Sequence, residues 1–438
     1  NPEATESFQE GMLIPPVKVY VKGEFRQDIV DILQANSRQP ISLYGDFNGQ
    51  INALDLGIRR LTALLDEYGA DTVTEALGEL KSRAAQLMRS NISELPDGTY
   101  TCDDWLDNDG IVDEPLKIAL DLTIQGDHMT LDFSRTSDAC AGPVNIALST
   151  AVASVYVAIK HVFTEVPANS GVLEPIDIII PENTMLAVKA PKPVGGYTET
   201  ILRIIDVVFG AVAQAAPERS NGCAYGTINA LSLAGHRVDG RRWVMFSFFG
   251  GGHGGHPEGD GLNHGNAPIS TATIPPIEIL ESAYPMFFTQ WALRPDSGGP
   301  GKNRGGLGAI YEIELLEENA DVFLFGERGR YAPPGVVGGG SGALNKFTYE
   351  QDDGYKVPPM ASKMVGIKIK KGQHVHLETP GGGGYGQALQ RDPLAVARDF
   401  QLGYVSRDGA ARDYAVALND DGSVNTPKTE QLRQGAAQ

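Results

Sequence analysis

The segment Ser297-Gly-Gly-Pro-Gly-Lys-Asn-Arg-Gly-Gly-Leu-Gly308 separates two parts of the chain with different patterns, and it carries six glycines around two cations. So many glycines indicate a shaped loop, with backbone positions that residues bearing a side chain cannot occupy. We expect Lys302 and Arg304 to project from this loop toward acidic or phosphate groups of a substrate or partner. Valine at Gly305 or Gly306 should then impair assembly or activity, whereas Arg304→Ala should lower activity with the fold intact.

After Gly308 the chain is dominated by strand-like segments separated by turns rich in Gly, Pro and Asp. The predicted strands run from Ile310 to Leu316, Val322 to Phe325, Lys346 to Tyr349, Val365 to Lys370 and His374 to Glu378. A short helix from Leu394 to Phe400 follows. From Asn419 the composition is polar and charged, and we expect this segment to fray or to wrap a partner.

Helical spacing dominates the N-terminal part. An irregular arm contains one short helix from Phe25 to Leu33. Two further helical segments meet around Gly69, which predicts a helical hairpin with Gly69 as C-cap of the first helix and Asp71 as N-cap of the second. The apolar positions that define the hairpin are Ile51, Leu54, Ile58, Leu61 and Leu65, followed by Val73, Leu77, Leu80, Ala84 and Leu87.

The central part mixes both periods, so the predicted fold class is α+β. Its predicted elements are a β-hairpin from Leu116 to Phe133, a buried helix from Val144 to Phe163, a strand from Ile176 to Ile180, a helix from Thr198 to Ala216 capped by Thr198, and a strand from Arg242 to Phe249. We predict four parts: an N-terminal arm (1–45), a mixed α+β core (46–300), a β-rich C-terminal subdomain (301–418) and a polar tail (419–438).

Charge and composition narrow the class of protein. With 36 basic and 55 acidic residues the formal net charge is -19, which disfavours nucleic acid and anionic membranes as partners. No apolar run has the length of a membrane helix, and no signal pattern begins the chain, so we expect a cytoplasmic protein. The scattered cysteines Cys102, Cys140 and Cys223 lack zinc-ligand spacing and are expected to be structural.

A second glycine-rich stretch, Thr379-Pro-Gly-Gly-Gly-Gly-Tyr-Gly386, repeats the chemistry of the first. Its glycines satisfy a dinucleotide-binding pattern only formally, because Pro380 precedes them and no βαβ unit follows. The first loop also fails as a phosphate loop, since Asn303 stands where Ser or Thr would reach magnesium. We therefore predict tight substrate or interface loops, with Gly381, Gly382, Gly383 and Gly384 as candidates in the second one.

The best chemical constellation is Phe249-Gly-Gly-Gly-His-Gly-Gly-His256, followed by Glu258, Asp260 and His264. Imidazoles and carboxylates on a flexible backbone can converge on a small ligand or a metal. No helix fixes the two histidines relative to each other, however. Metal ligation, a role in a substrate site or interface, and a solvated loop all stay open, and His253 and His256 are candidate catalytic residues. The pair His374 and His376 shares one face of a strand and is expected to be structural.

The residues Gly195-Gly-Tyr-Thr-Glu199 place a glycine turn at a predicted helix N-terminus. Free backbone N–H groups there form a natural cradle for an anion. Glu199 argues partly against an anionic ligand, so a capping role and contact with a polar substrate both stay open. Gly195, Gly196 and Thr198 are candidate substrate or interface residues, and Glu199 is a third catalytic candidate. No motif for nucleophilic catalysis by Ser or Cys occurs.

These motifs, taken in order, resemble the B-type subunits of the hydantoinase/oxoprolinase family. The resemblance includes both glycine-rich stretches and extends over nearly the whole chain. Its further segments are Gln9-Glu-Gly-Met-Leu-Ile-Pro-Pro-Val17, Pro193-Val-Gly-Gly-Tyr-Thr-Glu-Thr200, Leu293-Arg-Pro-Asp-Ser297, Arg391-Asp-Pro393 and Leu402-Gly-Tyr-Val-Ser406.

The resemblance implies a subunit of an ATP-dependent enzyme. An A-type partner would bind ATP and Mg²⁺ and phosphorylate the amide oxygen of a hydantoin, lactam or oxoproline, and the B-type subunit would complete the hydrolysis. A subunit of an ATP-dependent ketone carboxylase and a non-catalytic assembly scaffold are the alternatives. We expect the chain alone not to hydrolyse ATP.

The resemblance also implies a metal, zinc or manganese, that no residue of this sequence is expected to bind. Family members carry its ligands in His- and Asp-bearing stretches upstream of the segment that matches Glu10-Gly11, and neither stretch is present here. We expect that region to be a separate polypeptide, to have been cleaved, or to lie outside this numbering.

Overall fold

The computed structural model describes residues 2–270 and 275–436. The helices are α1 Gln27–Ala35, α2 Pro40–Tyr68, α3 Ala70–Ser93, α4 Leu148–Val162, α5 Tyr197–Ala215, α6 Ile277–Ala283, α7 Pro393–Gln401, α8 Arg407–Tyr414 and α9 Thr426–Ala436. The strands are β1 Tyr20–Val21, β2 Glu24–Phe25, β3 Gly98–Leu106, β4 Leu116–Gln125, β5 His128–Asp132, β6 Ile176–Ile179, β7 Ala230–His236, β8 Arg242–Phe248, β9 Met286–Leu293, β10 Ala309–Leu315, β11 Asn319–Phe325, β12 Lys346–Gln351, β13 Gly354–Lys356, β14 Lys363–Lys370 and β15 His374–Glu378.

The predicted helical hairpin is confirmed as α2 and α3, although α2 begins at Pro40 and is longer than its apolar pattern suggested. Gly69, with a φ of 80°, is both the C-cap of α2 and the N-cap of α3. Asp71 as N-cap is therefore wrong, and this carboxylate lies in the first turn of α3, where it favours the helix dipole. Within residues 2–270 and 275–436, no helix is long and apolar enough to span a membrane.

The first sheet has the strand order β3-β4-β5-β6 and contains the predicted β-hairpin as β4 and β5. Strand β6 joins parallel to β5, and α5 packs on β3 and β4 while α4 packs on α5. This gives one large apolar core between sheet and helices. Thr198 as cap is wrong: α5 begins at Tyr197, with Gly196 at the N-cap position and no side-chain hydrogen bond there.

Two further sheets form the β-rich part, with strand orders β13-β12-β15-β10-β9 and β14-β11-β7-β8. Apolar side chains of both sheets, among them Leu233, Tyr311 and Val375, form a second core. The sheets pair strands from both sides of residue 300, because β7 bonds to β11 and β9 bonds to β10. The division of the chain into the four predicted parts stays a prediction.

The C-terminal end folds onto the body of the protein through α7, α8 and α9. The expectation that residues from Asn419 fray is wrong within the described residues, since α9 is helical up to Ala436. Thr429 is buried, and the Arg433 guanidinium donates to the carbonyl oxygen of Arg391 at 2.7 Å. The last two positions of the predicted tail, 437–438, lie outside the described residues.

Candidate functional site

Three glycine-rich segments are hydrogen-bonded to one another through their backbones. Gly255 N–H donates to Gly383 O at 2.8 Å, and Gly382 N–H donates to Gly306 O at 3.0 Å. Gly306 N–H in turn donates to His253 O at 2.7 Å. The two glycine-rich stretches and the His253 loop therefore form one hydrogen-bonded unit, which we call the glycine interlock.

This interlock explains the glycine content by close approach of backbones. A Cβ at Gly305 would lie against the carbonyl oxygen of Gly382, and one at Gly306 would lie against that of Leu262. Neither carbonyl oxygen can move away, because the backbone segments to which they belong are themselves hydrogen-bonded or closely packed. The shaped loops predicted at Gly305, Gly306 and Gly381–Gly384 are buried parts of this unit.

Arg304 does not project toward a substrate or partner, so this expectation is wrong. Its side chain is 3% exposed, and its Nε lies 3.5 Å from Asp399 Oδ2. The guanidinium also donates to Gly305 O at 2.6 Å and stacks over the ring of Tyr404, 5.3 Å from its centroid. The acidic group that Arg304 meets thus belongs to the chain itself. Lys302 is exposed and lines a separate cavity.

A cavity of about 530 Å³ brings together His253 and His256. We call it the histidine cleft. Glycine backbone, the end of α4 and the segment after α5 form its walls. Its polar side chains are His161, Thr164, Glu165, Glu218, Arg219, Asn221, His253, His256 and Glu258.

Sequence reasoning missed the wall of the cleft opposite His253 and His256. His161 and Glu165 lie at the end of α4, and Arg219 follows α5, some 50 residues further along the chain. No local pattern links such distant positions. The only sequence signal was the pair of basic residues in the last turn of α4, which also suits the negative end of the helix dipole.

His253 is held as a neutral imidazole of fixed tautomer. Its Nε2 lies 2.6 Å from the carbonyl oxygen of Asn266, so Nε2 carries the proton and donates. Nδ1 then keeps its lone pair. Burial lowers the pKa of His253, which keeps the ring uncharged at neutral pH. A neutral imidazole with a free lone pair can accept a proton from a bound molecule.

The opposite wall of the cleft carries an ion pair. Arg219 donates to Glu165 at 2.8 Å and stacks over the Phe163 ring, 5.3 Å from its centroid. Burial raises the pKa of Glu165, but the hydrogen bond and charge of Arg219 outweigh this effect, so the pKa falls below its usual range. Because Glu165 is paired with Arg219, Glu218 and Glu258 are the carboxylates that give the cleft a net negative charge.

Two members of the predicted constellation lie outside the cleft. Asp260 binds both Nη atoms of Arg391 at 2.6 Å and so anchors the segment before α7. His264 accepts at Nε2 from the indole of Trp291, 2.8 Å away, and contacts the hydroxyl of Tyr311. Burial lowers the pKa of His264. Both residues therefore support the structure around the cleft.

Glu199 also lies away from the cleft, in a buried ionic cluster. This cluster comprises Asp104, Glu199, Arg203, Asp206, Glu327, Arg328 and Lys363, each less than a tenth exposed. Arg328 donates to Asp104 at 2.7 Å, and Lys363 pairs with Glu327. Burial, together with the nearby Glu327, raises the pKa of Glu199 to about 7. The cluster joins β3 and α5 to the chain on either side of β12, which indicates a structural role.

The predicted anion cradle at Gly195 and Gly196 is filled by the chain itself. The carboxylate of Glu10, in the N-terminal arm, accepts from the backbone N–H groups of Val194 and Gly195. Gly196 packs against Phe325. An internal carboxylate thus binds the backbone N–H groups that precede this helix.

Metal ligation by the cleft finds no geometric support. In the part of the chain that the structure describes, no group of three or more His, Cys, Asp or Glu side chains is arranged to hold a metal ion. The described residues thus provide no such cluster for the zinc or manganese that the resemblance implies. Burial raises the pKa values of Cys102 and Cys140 to about 12, so these thiols stay protonated at neutral pH.

Comparisons with known proteins agree with this architecture. The sequence model of the hydantoinase B/oxoprolinase family matches residues 1–388. The putative B-type subunit of a D-/L-hydantoinase from a Pseudomonas strain is 29% identical over 444 residues, covering 99% of this chain and 74% of that protein. An uncharacterised protein of Methanocaldococcus jannaschii is 32% identical over 435 residues, covering 98% of this chain and 75% of that protein.

Two solved structures share the fold. The ATP-dependent caprolactamase of Pseudomonas jessenii superposes with a TM-score of 0.89 at 29% identity, covering 99% of this chain and 76% of that one. Nucleotide-free acetone carboxylase superposes with a TM-score of 0.90 at 19% identity, covering 99% of this chain and 65% of that one. The chain belongs to the hydantoinase B/oxoprolinase family, and its α+β fold is that of these enzymes.

Proposed function

We propose that the chain is the B-type subunit of an ATP-dependent hydrolase of cyclic amides, such as hydantoins, lactams or oxoproline. It acts with an A-type subunit that binds ATP and Mg²⁺. Relatives across its length support the proposal: besides the hydantoinase, the beta subunit of the Pseudomonas jessenii caprolactamase is 30% identical over 450 residues. The 5-oxoprolinase of Dictyostelium discoideum is 28% identical over 387 residues.

The observation that carries the proposal is the neutral imidazole of His253 in the histidine cleft. Opening the phosphorylated amide adds water to the carbonyl carbon and breaks the C–N bond, so a base must take a proton from the water and the ring nitrogen must gain one. A second water then releases the phosphoryl group as inorganic phosphate and leaves the carboxylate. Phosphorylation of the amide oxygen by the A-type subunit makes that carbon a better electrophile. His253 Nδ1 is the proposed proton acceptor, and His256 and Glu258 orient the substrate from the same loop.

The remaining parts of the enzyme are proposed to come from outside this chain. ATP and Mg²⁺ belong to the A-type subunit, because neither glycine-rich stretch forms a phosphate loop. Zinc or manganese belongs to a region, or a further chain, that precedes the matched family segments. We propose a cytoplasmic complex, where ATP is available to it.

An ATP-dependent ketone carboxylase is the second candidate. The similarity to acetone carboxylase supports the fold alone at 19% identity, whereas the caprolactamase is closer in sequence at equal structural similarity. A non-catalytic scaffold is the third candidate. Assays of the assembled complex distinguish these two candidates from the hydrolase. If the complex is a hydrolase, it should open a cyclic amide without bicarbonate and should not consume a ketone.

The test uses the complex assembled with its A-type subunit. We expect His253→Asn to lower kcat about a hundredfold or more, the range for a lost general base, and His256→Ala to lower it less. The zinc and manganese content should stay unchanged in both variants. His236→Ala, on the exposed end of β7, serves as the control. Wild-type turnover in the His253 variant would contradict the proposed role, and stoichiometric loss of metal would place the metal in this loop.

A further inference from the structure

Helix α2 is long and makes little use of its apolar side chains. It has 29 residues and none of them is buried. At 1.5 Å per residue it extends over about 43 Å. Leu54, Ile58 and Leu61 are 68%, 63% and 51% exposed. Helices in proteins are stabilised mainly by packing of an apolar face, so we expect the exposed apolar face of α2 to pack against another surface.

The apolar side chains of α2 follow a heptad pattern, with alternating spacings of three and four residues over the whole helix. We call them the α2 seam, and they are Tyr44, Phe47, Ile51, Leu54, Ile58, Leu61, Leu65 and Tyr68. Such a pattern is typical of a helix that packs along its length against other helices. Most of the seam is exposed, with only Phe47, Ile51 and Leu65 partly covered, and helix α3 itself exposes Leu77 by 61% and Leu80 by 56%.

The α2 seam is complementary to a second copy of itself that runs in the opposite direction. Running a second α2 antiparallel about Leu56 places aromatic or bulky residues opposite one another at the ends and aliphatic residues opposite one another in the middle. The facing pairs are Tyr44 with Tyr68, Phe47 with Leu65, Ile51 with Leu61 and Leu54 with Ile58. A two-fold interface needs such a self-complementary surface.

The charges beside the α2 seam also favour a second copy of this chain as the partner. The positions that flank a heptad seam usually carry the charges that select a partner. Here only Asp55 is charged among them; the others are Asn48, Gln50, Gly57, Thr62 and Leu64. With a formal net charge of -19 on each chain, a strip that carries one charge per copy lets two copies approach with little repulsion.

We propose that the hairpin of α2 and α3 packs antiparallel against the same hairpin of a second copy of this chain. The two hairpins form a four-helix bundle that buries both seams and makes the chain a dimer. The dimer does not depend on the proposed hydrolase function, because the histidine cleft lies on other elements.

Sedimentation equilibrium of the full chain tests this inference. The wild type should have twice the monomer mass of 46.8 kDa. The double variant Leu54→Glu/Leu61→Glu should dissociate, with the dimer dissociation constant raised about a hundredfold or more. Both side chains are more than half exposed, so the fold should tolerate the change, as circular dichroism can verify. Val357→Glu/Leu394→Glu, at positions 67% and 69% exposed, is the matched control and should stay dimeric.

Hydrogen exchange provides a second, variant-free measurement. The amides of α2 should become more protected as the concentration of the wild-type chain rises. A monomeric wild type, or a dimer that survives in the double variant, would overturn the inference. Protection of α2 that appears only when an A-type subunit is added would also overturn it, in favour of a different partner on this surface.

Discussion

The carboxylate of Glu10 lies against the turn that leads into α5, where its Oε1 accepts from the backbone N–H of Gly195 at 2.6 Å. Its Oε2 accepts from the N–H of Val194 at 2.8 Å. The positive end of the helix dipole stabilises this anion, and the anion satisfies donors that no backbone carbonyl reaches. One side chain thus ties the N-terminal arm to the central helix, although 185 positions separate it from Gly195.

Glu10→Ala should loosen the arm. The loss of two hydrogen bonds to a charged group should lower the free energy of unfolding by about 1–2 kcal/mol. Trypsin should cut faster at Lys18, which is exposed in the same arm. Glu24→Ala, also exposed, removes the same charge without touching α5 and is the control. Equal cleavage rates in the two variants would show that the Glu10 contact does not hold the arm.

Gly306→Ala should destabilise the protein by about 3 kcal/mol or more, because a single Cβ meets a fixed carbonyl oxygen and overpacking of this kind forces the backbone apart. Thermal unfolding of purified protein, or its absence from the soluble fraction, would measure this. Gly435→Ala in α9, where a Cβ meets open space, should be neutral or stabilising. If both alanine variants unfold like the wild type, the glycine interlock is looser than its hydrogen bonds indicate.

Local pattern was sufficient to predict most elements, including the hairpin of α2 and α3 and all strands after Gly308 except the short β13. Strand β15 matches its predicted bounds because the alternation ends at glycine and proline on either side. The caps were less predictable: Asp71 and Thr198 have the right chemistry for an N-cap, but a glycine takes that position in each case. Capping depends on where the chain turns, which tertiary contacts decide.

The candidate site could be predicted only in part. His253 and His256 meet in one cleft because a short glycine-rich loop carries both. Asp260 and His264, which were predicted to act with these histidines, bind Arg391 and Trp291 instead. Such pairings join residues tens to more than a hundred positions apart, and no sequence period encodes them. The glycine interlock could not be predicted for the same reason. Glycine content indicates that backbone segments approach one another closely, but it does not show which segments do so.

Arg304→Ala should lower stability as well as activity, in contrast to the expectation from sequence alone. Asp399 keeps its ion pair with Arg391 at 2.8 Å, but the variant loses the hydrogen bond to Gly305 O, the contact with the Tyr404 ring and the packing of a buried side chain, which should cost about 2 kcal/mol. Urea unfolding at neutral pH measures the loss. Lys302→Ala is the matched control on the same loop, and its exposed side chain should contribute little. An Arg304 variant as stable as the Lys302 variant would restore the prediction of a side chain free to meet a ligand.

Glu199→Gln should change how stability depends on pH. The folded state raises the pKa of Glu199 from 4.5 to about 7, so the folded protein holds this proton more tightly than the unfolded chain. Glu199 therefore favours folding most below pH 4.5, and this contribution is lost as the pH rises to about 7. At 1.36 kcal/mol per pKa unit the loss approaches about 3 kcal/mol. Glutamine keeps the acceptor for Ile228 N–H and has no proton to lose.

The measurement is the difference in free energy of unfolding between Glu199→Gln and the wild type, from urea titrations at several pH values. This difference should grow in favour of the variant between pH 4.5 and 7 and then level off, because Glu199 is fully ionised above that range. Because Glu327 raises the pKa of Glu199, the two carboxyl groups titrate as a coupled pair, and the difference reports the loss of Glu199 together with its effect on Glu327. Glu75→Gln, on the exposed face of α3, should give a flat difference. A flat profile for Glu199→Gln as well would mean that the buried ionic cluster accommodates an ionised Glu199 without cost.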